Sequence, residues 1–319
     1  MWLAAGIVTG GMAVAIIQTV SPTAPSKVAA EGEAGPHAAA APAPPAAEVA
    51  PAPDPSDPTV ARARAIETLR AMLPSPSARL VRQAAMALAR TGDAAALDRL
   101  AGILAEEQSA IARLEVAYAL ARGGDARGRD ALVAGLRAER RDVRADAARY
   151  LAVLGDDAGV STLDSLLGLS QHRLGAAEAL ARLGHAKALA VLDAAVASPK
   201  TTREDRLRAL VALGRAGRAD VAPALREVLD DGQFNVGAAE ALARLGDRAA
   251  EPRLLDQLEV PSLQVGAALG LRRLDPQLDP SRYLPALVAQ LDLDKDTARV
   301  SAAEAILVLT GPPEIAERD

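Results

Sequence analysis

The sequence predicts an all-α protein built as an α-solenoid of about eight antiparallel helix pairs, and three observations carry that reading. The string GAAEALARLG stands at 175–184 and again at 237–246, 62 residues on, with a degraded copy, GAALGLRRLD, from 266. Aromatic residues make up 2% of the 319, while half the chain is hydrophobic and dominated by Ala and Leu, both strong helix formers. Segments that close helices align with a glycine or its substitute at 92, 124, 155, 184, 217, 246, 275 and 310, at intervals of 29 to 35. The mean interval is near 31, so 62 residues are two units and the ten-mer is one helix reused.

The elements follow in order. Residues 1–20 include an uncharged run, WLAAGIVTGGMAVAIIQTV, and the first charged side chain is Lys27. As a helix the run covers roughly 30 Å, the thickness of a bilayer core, and it lacks the basic leader of a secretory signal, so a membrane anchor is expected. Removal of the segment as a signal, leaving a secreted soluble binder, is the alternative. Gly6 and Gly10 have the GxxxG spacing that lets two such helices approach, a route to weak self-association. Residues 21–57 are rich in Pro and Ala and contain no Leu, Ile or aromatic residue. They cannot bury enough to offset ordering entropy and read as a disordered tether.

Asp57-Pro58 then starts the first helix, because the Asp oxygen accepts an orphan amide and Pro at the first position has none to orphan. From 58 to 310 each unit reads as helix A, a turn, helix B and a glycine in left-handed conformation, with the Asp that often follows capping the next A helix. Within the B helices Leu88, Leu120, Leu151, Leu180, Leu213, Leu242, Leu271 and Ile306 share one position, with Ala three and four residues earlier in most copies. One unit cannot bury that stripe, but stacked units can. Eight pairs at 8–10 Å between axes make an arch about 70–80 Å long. In the last unit Leu307-Val308 replaces the Ala-Arg of its neighbours. An apolar end of this kind is expected to be covered by the 311–319 tail, or else to serve for docking.

Two stretches, DVRADAARYLAVLGD at 142–156 and RLVRQAAMALARTGD at 79–93, resemble the HEAT-like repeats of the phycobilisome-lyase type. The resemblance spans about 58–310 and implies a right-handed α-solenoid with the B helices on the concave side. It implies little about function, since such repeats serve scaffolds, adaptors and a few enzymes.

Two arginine columns stand out. Arg113, Arg144, Arg173, Arg206 and Arg299 share a position early in the B helix, with Val81, Asn235 and Gln264 in the other copies. In HEAT-like arrays such a residue commonly bonds the turn of an adjacent unit. Arg90, Arg122, Arg182, Arg215, Arg244 and Arg273 close the B helices, four residues after Met86, Tyr118, Glu178, Val211, Glu240 and Leu269. Arginine in a last turn complements the helix dipole, and Glu178–Arg182 and Glu240–Arg244 are favourable i,i+4 pairs. The same residues form a concave strip of mixed charge with Met86, Tyr118 and Leu269 as apolar anchors for a partner protein. Gly175, Gly237 and Gly266, inside B helices, hint at close backbone approach.

Charge and composition narrow the function classes. The formal charge is −5, of which residues 1–57 carry −4, so the repeat region is nearly neutral and lacks the basic excess that nucleic-acid binding needs. There is no cysteine, which removes thiolate metal sites and a Cys nucleophile. The three histidines, His37, His172 and His185, are scattered, and no His-Glu pair of the kind di-iron HEAT-like enzymes use is present. The sequence thus predicts a membrane-anchored scaffold, its solenoid extracytoplasmic, binding a partner protein on the concave B-helix face, with no cofactor, no metal and no enzymatic activity. A lyase-like enzyme or chaperone acting on a bound protein is the rival reading.

Overall fold

The computed structural model describes residues 54 to 312 apart from 233. The expected anchor, nearly all of the tether, and residues 313–319 of the tail lie outside the described residues. Among the described residues there are sixteen α-helices and no strand. None of these helices is long and apolar enough to cross a membrane. The A helices are α1 (Pro58–Met72), α3 (Ala94–Glu106), α5 (Ala126–Gly135), α7 (Val160–Leu167), α9 (Ala186–Ala197), α11 (Ala222–Val228), α13 (Glu251–Leu258) and α15 (Leu284–Gln290). The B helices are α2 (Ala78–Ala89), α4 (Ala110–Arg122), α6 (Arg141–Val153), α8 (Arg173–Arg182), α10 (Arg203–Arg215), α12 (Asn235–Arg244), α14 (Gln264–Leu274) and α16 (Asp296–Leu309).

Local chemistry sets each boundary. Asp57 accepts from the Thr59 and Val60 amides at 2.7 and 3.3 Å, opening α1 with Pro58 at its first position. Gly92, Gly124, Gly155, Gly184, Gly217 and Gly246 all have φ between +70° and +88°, the left-handed turn that ends a B helix without a Cβ clash. At five of these turns the next residue's amide reaches back to the leucine-column carbonyl, as from Asp125 to Leu120 at 3.0 Å. That residue then opens the following A segment: the carboxylates of Asp93, Asp125, Asp156 and Asp247 accept amides of Ala96, Arg127, Ala158 and Ala249 at 2.9 to 3.0 Å. Asp125, Asp156 and Asp247 therefore stop one helix with the backbone and start the next with the side chain.

Adjacent units are tied at the same point. Arg70, Arg129 and Arg226, each on an A helix, reach the capping Asp93, Asp156 and Asp247 of the next unit at 2.6 Å. Between α9 and the start of α11 the polarity is reversed, with Asp193 on the A helix and Arg218 at the capping position, 3.0 Å apart.

All eight leucine-column residues, Leu88 through Ile306, are at most 2% exposed. The early arginine column is structural, and its bonds run within a unit rather than to the adjacent one. Arg144 donates to the Ala138 and Glu139 carbonyls of the α5–α6 turn at 2.7 Å, while Arg173 donates to Leu167 at 3.0 Å and Arg299 to Leu291 at 3.1 Å, at the ends of the A helices of their own pairs. Gln264 does the same to Leu258 at 2.9 Å and also reaches Gln290 of the following unit. The physical reason is reach, since the A helix ends only a few residues before the B helix begins.

The array is not an open arch. Each B helix packs on the next, from α2 through to α16, and α16 then packs on α2. Helix α1 lies against α16 as α3 lies against α2, and α15 touches α1. Arg62 of α1 donates to the Leu307 carbonyl at 3.2 Å, Arg64 pairs with Asp292, and Arg90 meets Glu304 at 2.6 Å. The units therefore close into a ring, with B helices inside and A helices outside. This corrects the expectation for the last unit. Leu307 and Val308 are each 1% exposed because the first unit covers them, so they form neither an open end nor a free docking surface.

Closure is directly measurable. With no native cysteine, spin labels placed by Arg64→Cys and Asp292→Cys report one pair of sites, and a short distance is expected, against about 70 Å for an open arch.

The capping carboxylates also set an acid limit. Burial works to raise Asp93, Asp156 and Asp247, but capped amides and their arginines outweigh it and hold all three below the usual carboxylate value. A depressed native pKa gives stability that is complete above the unfolded value, near 4, and lost as pH falls through the native one. The urea midpoint should drop below about pH 4, and the triple Asp→Asn variant, which keeps a capping oxygen but cannot titrate, should show a flatter profile.

Candidate functional site: the inner wall of the ring

The B helices place every third or fourth residue on the lumen, and those positions sort into tiers. The tier two residues before each closing glycine carries Arg90, Arg122, Arg182, Arg215, Arg244 and Arg273, with Val153 and, buried against the first unit, Val308 at the same position of the other two units. One turn earlier lies a tier with Met86, Tyr118, Arg149, Glu178, Val211, Glu240, Leu269 and Glu304. Ring geometry brings arginines from different units to one end of the lumen, with three glutamates beneath them.

The best-defined contact joins three units. Arg215 donates to Glu178 on α8 and to Glu240 on α12, both at 2.8 Å. Arg273 approaches the same Glu240 at 3.8 Å, and Arg244 stands 3.9 Å from it. The short bonds of both glutamates thus go to a neighbouring helix rather than along their own. Burial works to raise the Glu240 carboxyl, yet Arg215 and Arg273 outweigh it and hold it below its ordinary value. Burial also works to lower Arg215, but Glu240 and Glu178 more than compensate and raise it. Arg244 is different: burial pushes it down to about 10, and Arg273 and Arg182 add to the shift. It remains charged at neutral pH, inside a crowd of like charge.

At α4 and α6 the wall is aromatic. Tyr118 stacks on Tyr150 with centroids 5.0 Å apart, and the Arg122 guanidinium lies 5.3 Å from the Tyr118 ring centre. Burial raises the Tyr150 hydroxyl to about 12.

Several cavities border this wall among the described residues. One of about 640 Å³ is bordered by Arg122, Arg129, Arg182 and Arg244 at the arginine end. Another of about 630 Å³ is bordered by Met86, Arg90, Tyr118, Arg122 and Glu304. A third, of about 400 Å³, is bordered by Arg149, Glu178, Arg182 and Arg208. It adjoins a larger one, about 1040 Å³, which opens beside Gly175 and the α9–α10 turn. Among the described residues no three metal-ligating side chains converge.

Most of the expected concave-face residues therefore come together on the lumen. Leu269 does not serve as an exposed anchor: it is 8% exposed and packs in the core. The glycine expectation is corrected too, since a Cβ at Gly175 or Gly266 would meet nothing within 4 Å, and only Gly237 has a near neighbour, Val211 at 3.2 Å. Two of the three glycines thus border open space. Arg149 and Tyr150 escaped the sequence reading, although Arg149 occupies the column position of Tyr118 and Glu178.

A lumen lined by the B helices of stacked pairs defines an α-helical repeat fold, here closed on itself. No protein-family model and no curated protein matches the chain. Among solved structures it is similar to human deoxyhypusine hydroxylase in complex with glycerol, at 22% identity over 79% of this chain and 97% of that one, with a TM-score of 0.36. It is similar also to the CpcE–CpcF complex of phycocyanin lyase from Nostoc, at 21% identity over 82% and 98% of the two chains, with a TM-score of 0.42. An engineered protein matches at 20% over 77% and 78%, with a TM-score of 0.28. At these identities the likeness concerns the fold alone. The expectation that the chain has no enzymatic activity must still be corrected, because a hydroxylase and a lyase are among the structures it resembles. The fold leaves catalysis open.

The three-unit ion pair makes its own prediction. Arg215→Met should raise the Glu240 pKa, read by NMR titration of its carboxyl carbon. It should also cost about 1–3 kcal/mol in urea unfolding, less than a fully buried pair because these groups stay a quarter or more exposed.

Proposed function

We propose that this chain is a membrane-tethered helical-repeat scaffold that receives an extended segment of a partner protein on the inner B-helix wall. The observation that carries the reading is the clustering of Met86, Arg90, Tyr118, Arg122, Glu178, Arg182 and Arg244 around lumen cavities that share Arg122 and Arg182 as borders. Cavities of about 400 to 640 Å³ suit a few residues of extended chain and not a folded domain. Arginine with tyrosine is also the pairing enriched at the energetic centres of protein interfaces. The uncharged run at 2–20 supports a tether, and the Pro/Ala-rich segment after it would hold the ring off the bilayer, on the extracytoplasmic side in this reading.

Affinity capture with the full chain tests the partner reading. Arg182→Glu with Arg244→Glu should reduce partner recovery at least tenfold while the helical circular-dichroism signal and melting cooperativity stay intact. Recovery unchanged in a folded variant would sink it. Fractionation with and without protease tests the tether and its side: the chain should sediment with membranes and be cleaved from the extracytoplasmic face.

A further inference from the structure

The fourth and fifth units, α7–α8 and α9–α10, meet without a clasp that ties other units. Nine residues after the preceding glycine, the fifth unit carries Asp193 and the sixth Arg226, each paired with the capping residue of the unit that follows. The fourth unit has Asp164 at that place, and the capping residue beyond it is His185. His185 opens α9 with no side-chain cap, and no ion pair joins it to Asp164. The cavity of about 1040 Å³ lies at this junction, bordered by all four helices.

The charge that the fold leaves uncommitted there sits on two lysines. Helix α9 is 12 residues, about 18 Å, long, and Lys187 and Lys200 stand at its opposite ends on the border of the cavity. Among the described residues neither takes part in an ion pair. Arg149, Arg173 and Arg208 also border the cavity but are engaged, by Asp146 at 3.1 Å, the Leu167 carbonyl at 3.0 Å and Glu204 at 2.6 Å. The bordering acids are Asp164 and Asp205, and Asp205 lies in the first turn of α10, where the helix dipole accommodates it. Beside Lys200 the α9–α10 turn adds the hydroxyls of Ser198 and Thr201.

Between the lysines the border is apolar. Helix α9 offers Val191, Ala194 and Ala195, and Leu174 of α8 joins them. A helical wall has no free backbone edge, so an extended peptide laid over this stretch would leave amides without partners. An alkyl chain has none to lose. A cavity of this size with an apolar lining and a few polar groups is that of a small-ligand site. Past Gly175 it meets the lumen cavity of about 400 Å³, and a Cβ at Gly175 would touch nothing within 4 Å, so the passage is open.

We propose that the cleft between the fourth and fifth units binds an alkyl-chain carboxylate, its head at Lys200 and the α9–α10 turn and its chain along α9 toward Lys187. None of these residues is among those assigned to the partner, so either reading can fail without the other.

Dansyl-labelled undecanoic acid, titrated into the full chain, tests the site by its fluorescence rise. Saturable binding is expected, displaced by dodecanoate and far less by dodecanol. Lys200→Glu should weaken it at least tenfold, and Lys187→Glu clearly less, because the hydroxyls lie at the Lys200 end. Gly175→Leu fills open space and improves helix propensity, so its melting temperature should hold or rise while the probe binds at least tenfold more weakly. That variant decides the matter even where a charge reversal disturbs folding. Absence of saturable binding overturns the proposal, as does equal displacement by dodecanol. Affinity unchanged in folded Lys200→Glu or Gly175→Leu also overturns it, as binding to the uncharged run at 2–20 would give.

Discussion

A pair of ten-residue helices cannot shield both flanks of its own alanine and leucine stripe, and everything else in this protein depends on how that surface is covered. In the middle of the array each B helix is flanked by its predecessor and its successor. At the two ends an open stack would leave a flank in water, which is why terminal repeats of solenoids are usually polar. Here the chain meets the requirement differently, by bringing α1 onto α16, and the terminal units stay as apolar as the interior ones. Leu69 on one side and Leu307 on the other lie in one continuous core.

Closure changes the meaning of the charged residues. On an open arch the closing arginines would line a broad trough, each paired along its own helix. In this ring pairing also runs between neighbouring units, as Arg215 shows by binding glutamates from the units before and after it, and across the closure, as Arg90 shows with Glu304. The wall is therefore neither a uniformly basic channel nor a neutral surface. It is cationic at the rim where the B helices end and mixed a turn deeper, with an aromatic patch at Tyr118 and Tyr150.

The period, the helix pairs, the glycine stops and the buried leucine column were legible in the sequence because each rests on local chemistry: a left-handed φ, a capping carboxylate, a 3.6-residue stripe. The position of the arginine column on the inner wall was legible as well, since it follows directly from the repeat register. What escaped was set by partners far away in the chain. Leu307-Val308 announced that something apolar covers the last unit, but only packing identifies α1 as the cover. Arg149 was overlooked because Arg-for-Glu at one column position looks like drift until the ring puts it on the lumen. Leu269 was misassigned for the converse reason: its helix face touches neighbours that an isolated α14 would not have.

Eight units sharing one turn of the circle leave about 45° to each. An open stack can lengthen by copying a module, because the new copy meets the same two neighbours as the old. A closed one has no such freedom, for a ninth module would demand a different angle at every junction, from the Asp–Arg clasp between Asp93 and Arg70 to the reversed pair of Arg218 and Asp193. The number of repeats is thus a mechanical constant of this protein, and variation is confined to side chains and loops.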